Sequence, residues 1–119
     1  VSPAIKAAQF EACLKNNEIV FINFWAERCD LCKQFTDVYE RVAEENPSLK
    51  FVQVNIEREA ELAESLFIHS IPHLMIFKQG ILVYSETGLI QESLLKDLVR
   101  QVKNLDVSEI RVQIDKGDS

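Results

Sequence analysis

The chain reads as a single α/β domain in which a mixed β-sheet of about four strands is flanked by helices on both faces. Three observations predict this. The run Ile19-Val20-Phe21-Ile22-Asn23-Phe24-Trp25 is apolar on both alternating faces, as a central strand covered on each side must be. A helical stripe and a second strand follow it in β-α-β order, which makes a parallel pair with a right-handed crossover. Two short β-rich runs further on are separated by Gln79-Gly80, a hairpin signal that adds an antiparallel pair.

Taken in order, Ser2-Pro3 offers an N-cap with proline at the first helical position. Phe10, Cys13 and Leu14 mark the buried side of a helix ending near Asn16-Asn17. Cys13 on that stripe reads as a core residue, the usual fate of a small apolar cysteine. After the first strand, Leu31, Phe35, Val38, Tyr39 and Val42 recur at steps of three and four from Asp30 to Asn46, the stripe of a helix packed on a sheet. Asn46-Pro47 stops it, and Leu49 to Asn55 forms a second strand with Val52 and Val54 on one face. Glu57 to Phe67 carries Ala60, Leu62, Ala63, Leu66 and Phe67 at helical spacing. His73 to Lys78 and Ile81 to Thr87 are the hairpin strands. Gly88 precedes a last amphipathic helix through Leu94, Leu95, Leu98, Val99 and Val102. In the extension over 105–119, Asp106-x-x-Glu109 resembles a capping box while Ile110, Val112 and Ile114 alternate; we read a short helix, with Gly117-Asp118-Ser119 frayed.

A chain of 119 residues closes one core, and 47% hydrophobic with 27% charged residues is the composition of a soluble globular protein. The net charge of -6 argues against nucleic acid, whose phosphates ask for a basic face. No apolar run approaches the ~20 residues that span a bilayer, so no membrane is expected. No basic start followed by an apolar region and a cleavage site marks a secretory signal, although an opening on Val1 leaves a removed presequence open. Three cysteines are too few and too odd for a secreted disulfide scaffold; a reducing compartment, the cytoplasm, is expected.

The chemistry centres on Cys29-Asp30-Leu31-Cys32, where strand gives way to helix. Unpaired N–H groups and the dipole at a helix start favour a thiolate, so Cys29 is the expected nucleophile. Cys32, one turn further in on the same side, is the expected resolving thiol. The same spacing serves zinc sites, and His69-x-x-x-His73 has a formally acceptable spacing for the two further ligands. Those histidines are far from the thiols in sequence, with Pro72 between them, and no metal is expected. His69 by itself reads as a surface residue.

Phe24-Trp25-Ala26-Glu27-x-Cys29-x-x-Cys32-Lys33 resembles the active-site segment of the thioredoxin family. Ser70-Ile71-Pro72-His73-Leu74-Met75-Ile76-Phe77-Lys78-Gln79-Gly80 resembles that family's cis-proline strand and hairpin, and Gly88 the glycine before its last helix; the likeness spans 18–104. It implies a thioredoxin fold, a cis bond at Pro72, and a substrate groove bordered by Trp25, Ile56, Ile71, Pro72, Thr87 and Gly88. It also implies protein disulfides as substrates, an electron-donor reductase, and no cofactor beyond a redox-active Cys29-Cys32 disulfide. By the same resemblance His73, directly after Pro72, lines the proline strand and is able to tune the thiols.

Departures from the family pattern include four tuning positions, Asn23, Arg28, Asp30 and Gln53. Arg28 replaces a tryptophan and Asp30-Leu31 replaces Gly-Pro; the arginine favours the Cys29 thiolate and the aspartate opposes it. Asn23 aligns with the family's buried aspartate and Gln53 with its partner lysine, which suggests a neutral amide pair and slower release of the mixed disulfide. The expected function is thiol-disulfide exchange by a monomer. The alternative is a binding module of the same fold with weak or no turnover.

Overall fold

The computed structural model describes residues 2–108 and 110. Its elements are α1 (Ala7–Asn16), β1 (Ile19–Trp25), α2 (Asp30–Glu45), β2 (Lys50–Asn55), α3 (Ala60–Ser65), β3 (His73–Lys78), β4 (Ile81–Thr87) and α4 (Glu92–Asn104). The sheet order is β2-β1-β3-β4, with β1 and β2 parallel and the other two pairs antiparallel. This is the mixed sheet expected, and both hairpin strands fall where the sequence puts them.

Alternation along β1 divides the core in two. Ile19 and Phe21 join Phe35, Tyr39 and Val42 of α2 and Leu95, Leu98, Val99 and Val102 of α4 on one face. Val20, Ile22 and Phe24 join Val52 and Val54 of β2 on the other, covered by Leu62 and Ala63 of α3 and by half-buried Phe10, Cys13 and Leu14 of α1. Cys13 is therefore a packing residue, and burial pushes its thiol pKa up. The Tyr39 hydroxyl, wholly buried, lies 2.8 Å from both the Phe21 and the Val52 carbonyl, which share its one proton, and ties α2 to β1 and β2. At the other sheet end, buried Lys78 donates to the Val102, Lys103 and Leu105 carbonyls and so caps α4.

Several expectations are corrected. Ser2-Pro3 does not cap a helix: Pro3 accepts the Gln53 N–H, Ile5 donates to the Gln53 carbonyl at 2.9 Å, and Ala4 bridges Gln53 in parallel. The free edge of β2 outcompetes a helical turn for these backbone groups, and α1 starts at Ala7, the Lys6 N–H being taken by Gln9 Oε1. Glu57 and Arg58 lie in the turn before α3, and Phe67 lies beyond its end, 78% exposed with φ 58°. Leu31 and Leu94 sit in the first turns of their helices, outside the sheet-covered stripe, and are 47% and 42% exposed. In the tail, Asp106 Oδ1 accepts the Ser108 N–H at 2.9 Å, and Ser108 and Ile110 are helical. The rest of the tail reading, over Glu109, Val112, Ile114 and Gly117-Asp118-Ser119, lies outside the described residues.

Candidate active site at the carboxyl end of β1

Cys29 is the N-cap of α2, in extended conformation and half-buried, and its Sγ accepts the Cys32 N–H at 3.0 Å. Cys32 is completely buried in the first turn, and a disulfide joins the two across a Cα–Cα distance of 5.2 Å. A helix start presents unpaired N–H groups, so the sulfur that receives one of them is the sulfur best able to carry negative charge. The helix geometry, together with the strand that stops at Trp25, makes the two thiols unequal: one faces solvent and one is walled in.

The charges around Cys29 are both engaged. Arg28 Nε donates to Glu57 Oε2 at 2.6 Å, and Asp30 lies 3.9 Å from Lys33 Nζ. Arg28 and Asp30 side chains are 83% and 94% exposed, so solvent screening leaves each with only a weak pull on the thiol. Neither charge acts alone as the sequence suggested.

Beneath the disulfide, Asn23 of β1 and Gln53 of β2 are register partners on the α2 side of the sheet. They do not bond to each other as an amide pair. Fully buried Asn23 donates its Nδ2 to Thr36 Oγ1 at 3.2 Å, leaving Oδ1 without a donor among the described residues. Gln53 Nε2 donates to Glu40 Oε2 at 2.7 Å and to the Ser2 carbonyl at 3.4 Å. Glu40 also accepts the Ser2 N–H at 2.8 and 3.0 Å and the Ser2 hydroxyl at 2.9 Å. Cys32, Thr36 and Glu40 follow one another at intervals of four on α2, which is why one helix face serves all three contacts. Thr36 and Glu40 went unnoticed in the sequence; their spacing from Cys32 was the available signal.

The expected groove residues gather at the same sheet end. Half-buried Trp25 closes β1, and its carbonyl accepts the Ile56 N–H at 3.0 Å. The β1 to β3 register sets Phe24 opposite His73, so buried Pro72 stands level with the end of β1. The Ile71-Pro72 bond is cis, as the resemblance implied, and Ile71 packs half-buried on the core. The Pro72 carbonyl accepts the Gly88 N–H at 2.7 Å, which fastens the end of β4 to the cis-proline turn. A Cβ at Gly88 would meet nothing within 4 Å, so its φ of +112°, and not lack of room, calls for glycine. Thr87 faces His73 across the hairpin, and His73 Nδ1 is 2.6 Å from its hydroxyl. His69 is exposed. Among the described residues, no group of three or more His, Cys, Asp or Glu side chains is arranged to hold a metal ion. No helix of the described residues is long and apolar enough to cross a membrane.

Comparison with known proteins agrees with this geometry. The thioredoxin family model matches residues 1–101. A putative thioredoxin 2 of Streptomyces coelicolor is 44% identical over 102 residues, covering 86% of this chain and 76% of that one. Thioredoxin 1 of Plasmodium falciparum is 30% identical over 94 residues, with 79% and 89% covered. A solved structure of Plasmodium falciparum thioredoxin superposes with a TM-score of 0.77 at 29% identity, over 85% of this chain and 98% of that one. With its disulfide at the start of α2 and its four-stranded mixed sheet, the chain belongs to the thioredoxin family of thiol-disulfide oxidoreductases.

Proposed function

We propose that the chain reduces disulfides of protein substrates, with Cys29 as nucleophile and Cys32 as resolving thiol. The Cys29 thiolate attacks one substrate sulfur, expelling the other as a thiolate and forming a mixed disulfide. The Cys32 thiolate then attacks Cys29 Sγ, releasing the second substrate sulfur and closing Cys29-Cys32. Two electrons pass to the substrate, and a reductase restores the dithiol. The observation that carries this reading is the inequality of the two sulfurs: Cys29 caps α2 half-exposed, while Cys32 is fully buried behind it.

The substrate lies as an extended segment over Trp25, Ile56, Ile71, Pro72, Thr87 and Gly88, where backbone groups beside the cis-proline turn pair with it as an added strand does. The gathering of these residues at one sheet end supports that placement. Asn23 and Gln53 tune the thiols from within the sheet, and Arg28 and Asp30 do so weakly from the exposed side. The protein works as a single domain and a monomer, in the cytoplasm, and with no cofactor beyond its own disulfide.

Insulin reduction driven by dithiothreitol tests this: Cys29→Ser abolishes the acceleration, and Cys32→Ser accumulates a mixed disulfide on Cys29. A Cys29→Ser variant as fast as wild type would overturn the assignment.

A further inference from the structure

His73 sits between two hydroxyls. Its Nδ1 is 2.6 Å from Thr87 Oγ1 and its Nε2 is 2.7 Å from Ser85 Oγ, both on β4. Strand register makes the arrangement rigid: Thr87 is the direct cross-strand partner of His73, and Ser85 pairs with Met75 two residues along the same face. Phe24 of β1 meets the imidazole edge to face, with centroids 6.3 Å apart. The ring immediately follows Pro72, and Thr87 immediately precedes Gly88, whose N–H is held by the Pro72 carbonyl.

A neutral imidazole has one N–H and one bare nitrogen. In either tautomer it donates to one of the two hydroxyls and must receive a proton from the other. The receiving hydroxyl keeps its own proton for an outside partner; the donating one offers only lone pairs. When the ring is protonated, both nitrogens donate, and both hydroxyl protons turn outward. We propose that His73 is a positioning residue, its neutral Nδ1 accepting from Thr87 and its Nε2 donating to Ser85, so that protonation reverses the hydrogen-bond polarity that the Thr87 hydroxyl presents to substrate. This rests on the groove reading, which places Thr87 against the substrate chain.

The surroundings suit such a role. Burial pushes the His73 pKa down, and Glu86 on β4, the charged group whose field reaches the ring, partly opposes that. The Phe24 ring from β1 brings no charge. The ring therefore gains its proton at a lower pH than a free imidazole does.

The test is single-turnover oxidation of the reduced protein by a disulfide-bonded peptide, followed by fluorescence of Trp25, the one tryptophan of the chain. The half-saturating peptide concentration and the limiting rate are read separately from about pH 5 to about pH 8. In wild type the half-saturating concentration changes by about threefold or more across the His73 titration, which NMR of the imidazole locates independently. His73→Gln retains a donor and an acceptor but cannot take up a proton, and its half-saturating concentration is flat over this range.

A wild-type profile that stays flat, or one whose inflection misses the NMR titration, overturns the proposal. So does a His73→Gln profile that matches wild type while Thr87→Val shifts the half-saturating concentration, because the groove then stands and the histidine does not govern it. If Thr87→Val shifts nothing, the groove reading at Thr87 fails and the proposal falls with it.

Discussion

Asn23 Nδ2 donates to Thr36 Oγ1 at 3.2 Å, one helical turn along α2 from Cys32, while Asn23 Oδ1 receives no hydrogen bond among the described residues. An amide so placed can fill space beneath the resolving thiol but cannot take its proton at neutral pH. Nor can the neighbouring Gln53 assist, since its amide is committed to Glu40 and Ser2.

Asn23→Asp should therefore speed resolution of the mixed disulfide. The Thr36 hydroxyl can turn to donate to the new carboxylate, but among the described residues no buried cation pairs with this position, so burial raises its pKa and suits it to accept the Cys32 proton. We expect a gain of about tenfold near pH 7, below the ~10²–10⁴ typical of a fully positioned base. Because the folded-state pKa of this carboxyl lies above its unfolded value, stability falls as pH rises from the unfolded to the folded pKa, and the loss persists above both. Insulin reduction and unfolding midpoints from about pH 5 to about pH 9 check both parts. A folded variant with no rate gain would show that proton transfer does not limit turnover.

Cys29 should titrate below the ordinary ~8.5 of a free thiol, and Cys32 should not titrate near neutrality. Only Cys29 receives a helix-start N–H, and only Cys32 is wholly buried. Iodoacetamide labelling of the reduced protein against pH, with peptide mapping, reads the order. Faster alkylation of Cys32 would reverse the roles.

Glu40→Ala should unfasten the segment before α1. It removes the acceptor shared by the Ser2 N–H, the Ser2 hydroxyl and the Gln53 amide, and leaves that amide buried without its main partner. The expected loss is about 1–3 kcal/mol by urea unfolding. Hydrogen exchange at the Ile5 and Gln53 amides should accelerate more than at β3.

Phe67→Gly should stabilise the fold. Phe67 holds a left-handed conformation at φ 58° with its ring 78% exposed, so the ring contributes little packing while the backbone bears the strain. Relief of ~1–2 kcal/mol, less the extra unfolded-state freedom of glycine, leaves a net gain of about 0.5–1 kcal/mol. Thermal unfolding measures it, and a lower midpoint would mean that the ring packs more than its exposure shows.

The parts legible in the sequence were those written in short-range pattern. Apolar residues on both faces marked β1, Gln79-Gly80 marked the hairpin, and the two cysteines at the foot of a helical stripe marked the site. What stayed hidden depends on partners distant in the chain. Ser2-Pro3 carries the chemistry of a helix cap, and only the open edge of β2, some fifty residues away, turns it into an extended segment. The periodicity that drew Leu31, Leu94 and Phe67 onto buried stripes is blind to where the covering sheet stops. Asn23 and Gln53 were found through the family resemblance, but their real partners, Thr36 and Glu40, became visible only once α2 was laid across the strands.

The contact of residues 2–5 with Gln53 also bears on how molecules of this protein meet one another. An outer strand with free N–H and C=O groups is a template for another chain, and here part of that template on β2 is occupied by the protein's own residues 3–5. Deleting those residues, or tethering a bulky partner to them, would bare the strand and invite edge-to-edge self-association, visible as concentration-dependent growth in light scattering.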